Sequence, residues 1–279
     1  ELVLVDNGSK DSSALIARRA AEKRGLGCTI SALGRNSGFA RANNRGFNLT
    51  SGEIVLLLNP DTELYEDTVA ELVGAFEDPL VGIAGCKVYY PDRETLQHAG
   101  GYVRDNGLTM HYGVGEKDTG AHDRPRDVAY VTGAALAVRR DLFERLGLLD
   151  PGFYPAYFEE LDLCLHARRL GYRVLYQPGA RIIHHESTTT GRFSRRYYYL
   201  YHRNRLRFLL KNFSWRFLLE RSLAMERRWI DMVDPVGHRV PLMRAYQSNF
   251  FRLPLVLLAR LALERRLPVP RLEDTVGEL

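Results

Sequence analysis

The chain has 279 residues, of which 45% are hydrophobic and 26% charged, so it can bury a full core as one domain or as one domain with an appendage. Three cysteines far apart in sequence argue against a zinc knuckle or a disulfide framework and indicate a reducing compartment. The chain shows no signal peptide and no apolar run of about 18 residues, which favours a cytoplasmic location. It begins inside the strand-like "ELVLVD", so we expect the natural N-terminus to lie further upstream.

Predicted strands and helices alternate along the first two thirds of the chain. The strand "ELVLVD" leads through the turn-forming "NGSKDSS" to the helical "SALIARRAAEKRG", and a second buried strand is "EIVLLLNPDT". Further predicted strands are "GIAGCKVYY", "YVTGAALAVRR", "YRVLYQP" and "RIIHH". This order predicts an α/β domain with a mainly parallel sheet, in which ligands bind beyond the carboxyl ends of the strands.

Polar side chains follow several of these predicted strands directly. They are Asp6, Asn59, Asp61, His184 and His185. A carboxylate such as Asp61, held at a strand end by a proline turn, suits a hard divalent cation that also binds phosphate oxygens. The alternative is a simple turn cap, since Pro-Asp-Thr favours turns in any case.

Three carboxylates, Glu159, Glu160 and Asp162, crowd the start of a predicted helix in "YFEELDLCLHARRLGYR". Glu159 and Asp162 share one face of that helix, and Glu160 points elsewhere. Acids at a helix start can simply favour the helix dipole. However, the aromatic "FYPAYF" before them is an environment that raises a carboxyl pKa toward the range of a general base.

The middle of the chain offers weaker signals. Residues 92–127 are rich in Gly and Asp and predict a loop bordering an acceptor cleft, in which His98, His111 and His122 are interpreted as surface histidines. "VTGAA" contains Gly133 and Ala134, which either allow close approach of a substrate or fit a crowded strand. "GRNSGFARANNRG" matches neither a dinucleotide fingerprint nor a P-loop.

The C-terminal third is basic, with 18 Lys and Arg against 8 Asp and Glu in residues 192–279. A helical apolar face among its arginines is formed by Leu206, Leu209, Leu210, Phe213 and Phe217. Such a face suits an anionic membrane surface or packing on the body, and the interleaved aromatics leave nucleic acid as a third reading. The later apolar run "FFRLPLVLLARLALERRL" is interrupted by Pro254 and Arg260, so it too is expected to be peripheral to a membrane at most.

Five segments in this order resemble the family 2 inverting glycosyltransferases, in particular their rhamnosyltransferase-like members, over residues 1 to about 210. The segments are "VDNGSKDSS", "GRNSGFARANNRGF", "LLLNPDTEL", "VTGAALAVRRDLFERLGLLD" and "YFEELDLCLHARRLGYRVLYQPGARIIHH". The resemblance implies a glycosyltransferase A-type, Rossmann-like α/β fold. We therefore expect a nucleotide-sugar-binding catalytic domain over residues 1–190 and a basic helical C-terminal extension over residues 191–279.

The resemblance also implies roles for individual residues. The donor-binding positions are Asp6, Ser9, Asp11, Asn36, Gly38, Asn43, Asn59 and Asp61. The family's Asp-x-Asp motif is Asn59-Pro60-Asp61 here, so Asp61 is expected to bind Mg²⁺ or Mn²⁺ together with His184. The base motif is Glu159-Glu160, with Glu160 as the base. Glu159 and Asp162 are then expected to position the acceptor beside Gly133 and Ala134.

The implied reaction is transfer of a sugar, with rhamnose as the first candidate, from a dTDP- or UDP-sugar to a glycan or lipid-linked acceptor in cell-surface polysaccharide synthesis. A location on the inner face of the plasma membrane would suit such an acceptor. Two alternatives stay open. One is a non-catalytic nucleotide-sugar or glycan-binding protein, if Asn59 and Glu160 are degenerate motif positions. The other is a nucleic-acid binder using the basic tail, although the motifs of the body argue against nucleic acid.

Overall fold

The computed structural model describes residues 1–185, 194–233 and 235–267. Its strands are β1 (Leu2–Asp6), β2 (Cys28–Ala32), β3 (Ile54–Leu58), β4 (Thr62–Leu64), β5 (Val81–Tyr89), β6 (Leu96–His98), β7 (Gly101–Val103), β8 (Thr109–His111), β9 (Arg126–Asp127), β10 (Ala135–Arg139) and β11 (Arg173–His184). Its α-helices are α1 (Ser13–Lys23), α2 (Phe39–Phe47), α3 (Thr68–Gly74), α4 (Arg140–Leu146), α5 (Glu159–Arg169), α6 (Arg195–Asn212), α7 (Trp215–Phe217), α8 (Leu223–Met232) and α9 (Val240–Arg266).

The central sheet has the strand order β3-β10-β5-β11-β4, and β1 pairs with β2 in parallel beside it. The strands β5 and β11 are parallel, but β10 runs antiparallel between β3 and β5. The expectation of a mainly parallel sheet is therefore wrong in this detail, because the chain returns from β5 to β10 without the helical crossover that a parallel pair needs. The two strands predicted as "YRVLYQP" and "RIIHH" are one strand, β11, with an irregularity between Gln177 and Arg181.

Residues 92–127 form more than a loop, since they contain β6, the β7–β8 hairpin and β9. The interpretation of His98 and His111 as surface histidines is wrong. His98 is 1% exposed, and its Nδ1 lies 2.7 Å from Nδ1 of His111. Burial lowers the pKa of His98 well below its ordinary value and that of His111 to about 4.

The apolar face of α6 and α7 packs into the core of the protein. Leu209, Phe213 and Phe217 are 4%, 1% and 3% exposed and belong to the main core cluster. The prediction of a membrane-facing surface is therefore wrong for this face, and the packed-helix alternative is right. Arg205 is fully buried in a two-pronged ion pair with Glu226, which removes it from any nucleic-acid surface.

The last helix, α9, runs through Pro254 and Arg260 without interruption. The Arg260 guanidinium donates hydrogen bonds to the carbonyl oxygens of Leu210 (2.9 Å) and Phe213 (2.7 Å) and so fastens α9 to the end of α6. Among the described residues, no helix is both long and apolar enough to cross a membrane. The predicted domain boundary at residues 190 and 191 falls in a stretch outside the described residues.

Candidate active site

The turn after β1 and the segment before α2 are held together by side-chain amides. Asp6 Oδ1 accepts a hydrogen bond from the Ser9 backbone amide at 2.8 Å. Hydrogen bonds from the side chain and the backbone of Ser9 lower the pKa of the Asp6 carboxyl. Asn7 Oδ1 accepts a hydrogen bond from the backbone amide of Ser37 at 2.8 Å, and Asn36 Oδ1 accepts one from the backbone amide of Gly38 at 2.9 Å. The structure thus brings Asp6, Ser9 and Asn36 together at one sheet edge, as the sequence predicts.

Gly38 connects this edge to the segment before α5. Its φ of +90° lies in the region that favours glycine, and a Cβ there would lie 2.7 Å from the Tyr154 ring. The next backbone amide, that of Phe39, donates to the carbonyl oxygen of Pro155 at 2.8 Å. The start of α2 is therefore fixed against the approach to α5.

Two predicted donor residues make local contacts. Asp11 accepts hydrogen bonds from the backbone and hydroxyl of Ser13 at the start of α1, and the Asn43 amide donates to the Phe39 carbonyl within α2. Asn44, which the sequence reasoning missed, instead bonds both backbone groups of Leu149 at 2.8 and 3.1 Å. Its partner lies 105 residues away, so no local pattern identifies it.

Asp61 and His184 meet where β4 pairs with the end of β11. Asp61 Oδ1 lies 3.3 Å from Nε2 of His184, and the two side chains are 21% and 13% exposed. Gln97 orients the imidazole, because its amide nitrogen faces the His184 carbonyl while its oxygen lies 2.7 Å from Nδ1. A ring hydrogen on Nδ1 fits the Gln97 oxygen, and a neutral Nε2 would then need a cation between its lone pair and the Asp61 carboxylate. No pattern in the sequence marks Gln97 as a partner of this histidine.

Asn59 shapes the turn that carries Asp61. Its backbone amide donates to the carbonyl oxygen of Ala134 at 2.9 Å, and its own carbonyl accepts from the Thr62 hydroxyl at 2.7 Å. The described residues contain no cluster of three His, Cys, Asp or Glu that would hold a metal by itself. One carboxylate and one imidazole fit a divalent cation whose other ligands are phosphate oxygens and water.

The two residues before α5, Tyr157 and Phe158, have φ values of +85° and +78°. Such backbone is uncommon for aromatic residues and clusters at functional sites. Directly after them, Glu159 is 1% exposed, and neither carboxylate oxygen has a hydrogen-bond partner among the described residues. Burial, with Glu160 adding to it, raises the pKa of Glu159 well above its ordinary value.

Glu160 is more exposed than Glu159, and burial also raises its pKa. Gly133 packs beside it, since a Cβ on Gly133 would lie 3.8 Å from Glu160 Cβ and 3.2 Å from the Phe39 ring. Gly133 and Ala134 are buried, so they join the Asn59 turn to the start of α5. Both residues lie in the turn before β10 and not within the strand, and their contact with an acceptor stays a prediction.

Asp162 has a different role from the other two acids. It is 3% exposed, and its two oxygens lie 2.7 Å from Lys211 Nζ and Asn212 Nδ2 of α6. Burial opposes its charge, but His166 and Lys211 hold the pKa of Asp162 below its ordinary value. Because this carboxylate is enclosed by protein partners, the structure argues against the expectation that it contacts an acceptor.

The sequence model described as glycosyl transferase family 2 matches residues 1–147. The chain belongs to glycosyl transferase family 2. An uncharacterized protein of Sinorhizobium fredii is 32% identical over 68% of this chain and 22% of its own length. The N-acetylglucosaminyl-diphospho-decaprenol L-rhamnosyltransferase of Mycobacterium tuberculosis is 26% identical over 80% of this chain and 81% of its own.

The same fold occurs in the crystal structure of GalNAc-T7 with UDP, GalNAc and Mn²⁺, with a TM-score of 0.61 at 16% identity. That match covers 97% of this chain and 52% of the GalNAc-T7 chain. The family 2 chain described here therefore has the glycosyltransferase A-type α/β fold with C-terminal helices, as the sequence predicts. It spans only 22% of the Sinorhizobium relative.

Proposed function

We propose that this family 2 chain transfers a sugar from a nucleoside diphosphate sugar to a hydroxyl acceptor, with inversion and with Mg²⁺ or Mn²⁺ as cofactor. The observation that carries the proposal is the pair Asp61 and His184, 3.3 Å apart at the edge of the sheet and joined through Gly133 and Ala134 to the start of α5. A divalent cation there would neutralise the charge that develops on the departing nucleoside diphosphate.

The donor nucleotide is assigned to the edge formed by Asp6, Ser9 and Asn36. These groups are fixed by their own hydrogen bonds, so little ordering is needed when a nucleotide binds. Asp61 would provide a carboxylate oxygen, and His184 a ring nitrogen, to the cation that binds the diphosphate. Gln97 keeps the imidazole in the tautomer that leaves Nε2 available for this role.

Glu160 is assigned as the general base. The pKa of Glu160 is raised from its ordinary value toward neutral pH, and a general base works best when its pKa is near the pH of the reaction. It removes the proton of the acceptor hydroxyl while that oxygen attacks the anomeric carbon from the face opposite the leaving group. One displacement of this kind inverts the configuration, and the proton ends on Glu160. Glu159 stays protonated beside it and limits the negative charge in the pocket.

Rhamnose from a dTDP- or UDP-sugar is our first candidate for the donor, and a lipid-linked or glycan hydroxyl in polysaccharide synthesis is our candidate for the acceptor. The name of the Mycobacterium relative, which aligns over most of both chains, supports this choice. The replacement of the first motif acid by Asn59 is what would favour a non-catalytic sugar-nucleotide-binding protein instead. Measured transfer decides between the two.

A thermal-shift panel of dTDP-, UDP- and GDP-sugars, each with Mn²⁺ or with a chelator, tests the proposal. We expect one nucleotide class to stabilise the protein only when Mn²⁺ is present, and Asp61→Asn to abolish that effect. Glu63→Gln is the matched control, because Glu63 forms a similar pair with His185 two residues further on but is 49% exposed. Equal stabilisation of wild type and Asp61→Asn would contradict the metal role, and binding without any transfer would leave the binding-protein alternative.

A further inference from the structure

The helix α9 has apolar residues on two opposite sides, and within residues 1–185, 194–233 and 235–267 only one of these sides is covered. The covered side contains Leu242, Ala245 and Val256, which are 0–1% exposed and pack toward α6. Six large apolar residues on the other side are between 52% and 80% exposed. We call these six the apolar stripe: Met243, Phe250, Phe251, Leu255, Leu258 and Leu261.

The apolar stripe is a continuous surface and not a scatter of single residues. At 3.6 residues per turn its members fall within roughly 140° of the helix circumference, and from Met243 to Leu261 the stripe is about 27 Å long. Contiguous apolar surfaces of this size mark binding sites in proteins. A helix that is apolar on both sides is normally covered on both, so the stripe requires an occupant.

Charge identifies the chemistry of that occupant. The helix α9 contains five arginines and one acid, Glu264. Arg244 and Arg265 are exposed and fall within the arc of the stripe. Glu264 lies outside that arc and pairs with Arg260 on the covered side. The stripe is therefore apolar at its centre and positively charged at its margins.

A second copy of the chain fits this surface poorly. Two stripes placed face to face would bring Arg244 and Arg265 of both copies together without an acid in the arc to neutralise them. An anionic lipid surface matches both the apolar centre and the positive charge of the stripe. Its acyl chains accept the aromatic and aliphatic side chains, and its headgroup phosphates pair with the arginines. No described helix spans a bilayer, so α9 would lie in the plane of the interface.

We propose that the apolar stripe of α9 docks the enzyme on an anionic membrane surface. This surface is distinct from the face of α6 and α7, whose phenylalanines are buried in the core. The proposal does not depend on the identity of the sugar or on the role of Asp61.

Flotation with phosphatidylcholine vesicles, with and without phosphatidylglycerol, tests the proposal on the 279-residue chain. We expect the wild type to float only with the vesicles that contain phosphatidylglycerol. The variant Phe250→Ser/Phe251→Ser/Leu258→Ser should lower the partition constant at least about tenfold, because three exposed apolar side chains lose their burial in lipid. The matched control is Leu15→Ser/Ile16→Ser, which removes exposed apolar residues from α1 and should float like the wild type.

The electrostatic part is measured with Arg244→Gln/Arg265→Gln, which should lower binding to the anionic vesicles about 30-fold. Melting temperatures equal to that of the wild type would show that all variants fold. A wild type that stays unbound, or a triple variant that floats like the wild type, overturns the proposal. Sedimentation velocity that finds a wild-type dimer without vesicle binding, and a monomeric triple variant, overturns it as well and assigns the stripe to a second copy.

Discussion

The sheet edge around Asp61 and the start of α5 carry the acids of the candidate site in contrasting ways. At the sheet edge, Asp61 faces His184, which Gln97 orients in turn, so each polar group there has a defined neighbour. At the start of α5, three acids within four residues have three environments. Glu159 is buried without a partner in the described structure, Glu160 is partly exposed, and Asp162 is enclosed by Lys211 and Asn212. Because these environments differ, we assign the acids different roles, with ligand binding proposed for Asp61, proton transfer for Glu160 and packing for Asp162.

We expect the largest effect on sugar transfer from the variants that distinguish Glu159 from Glu160. Glu160→Gln keeps the shape of the side chain and removes the proton acceptor, so sugar transfer should fall by about 10² to 10⁴-fold while donor binding persists. Glu159→Gln should cost much less activity, because burial raises the pKa of Glu159 and so disfavours a charged carboxylate at this position. Transfer rates and donor affinities of both variants check this. If Glu160→Gln were active and Glu159→Gln inactive, the general base would be Glu159.

Asp162→Asn tests the packing role of the third acid. A first-turn charge on a helix is worth only about 0.3–1 kcal/mol. Because Asp162 is buried and paired with Lys211, we expect a loss of about 3 kcal/mol in the free energy of unfolding, with little change in donor affinity. Denaturant unfolding and calorimetry measure the two quantities. A stable variant with impaired acceptor use would restore Asp162 to the acceptor site.

The variant His184→Ala tests the proposed cation site at the sheet edge around Asp61. Removing the imidazole leaves the Asp61 carboxylate in place, so the affinity for donor in Mn²⁺ should weaken about 10- to 100-fold and not vanish. His185→Ala is the control, since His185 is 47% exposed and pairs with Glu63 outside the proposed site. Calorimetry that finds the two variants equally affected would separate His184 from donor binding.

The smallest effect concerns pH and Glu159. Burial raises its folded pKa above the ordinary 4.5, so the folded protein retains this proton while the unfolded chain loses it. The contribution of Glu159 to stability is therefore greatest at low pH and declines as pH rises from about 4.5 toward the folded pKa. Glu159→Gln should remove this decline, so that the variant gains stability relative to wild type between pH 4.5 and 7. A constant difference across that range would contradict the raised pKa.

The sequence predicts the sheet edge better than the start of α5, and the reason is the distance to the partners. Asp6, Asn59, Asp61 and His184 each follow a strand, and strand ends gather at one edge whatever the rest of the chain does. The partners of Asp162 lie 49 and 50 residues away on α6, and Gln97 lies 87 residues from His184. Local patterns contain no information about such pairs.

Two further errors have the same kind of cause. The reversed strand β10 depends on how residues 90–134 return to the sheet, which periodicity does not determine. The basic faces of α6 and α9 look alike in sequence. The helix α6 is nevertheless enclosed, because Arg205 forms an ion pair with Glu226 and the phenylalanines pack in the core. The stripe of α9 stays exposed among the described residues.

The central claim is that Asp61 and His184 together bind the cation that holds the donor diphosphate. Crystals soaked with Mn²⁺ and a nucleoside diphosphate, with diffraction collected at the manganese absorption edge, test it most directly. We expect an anomalous peak in contact with Asp61 Oδ1, His184 Nε2 and the diphosphate oxygens. A nucleotide bound at Asp6 and Asn36 with no manganese at Asp61, or with manganese held by other side chains, would contradict it.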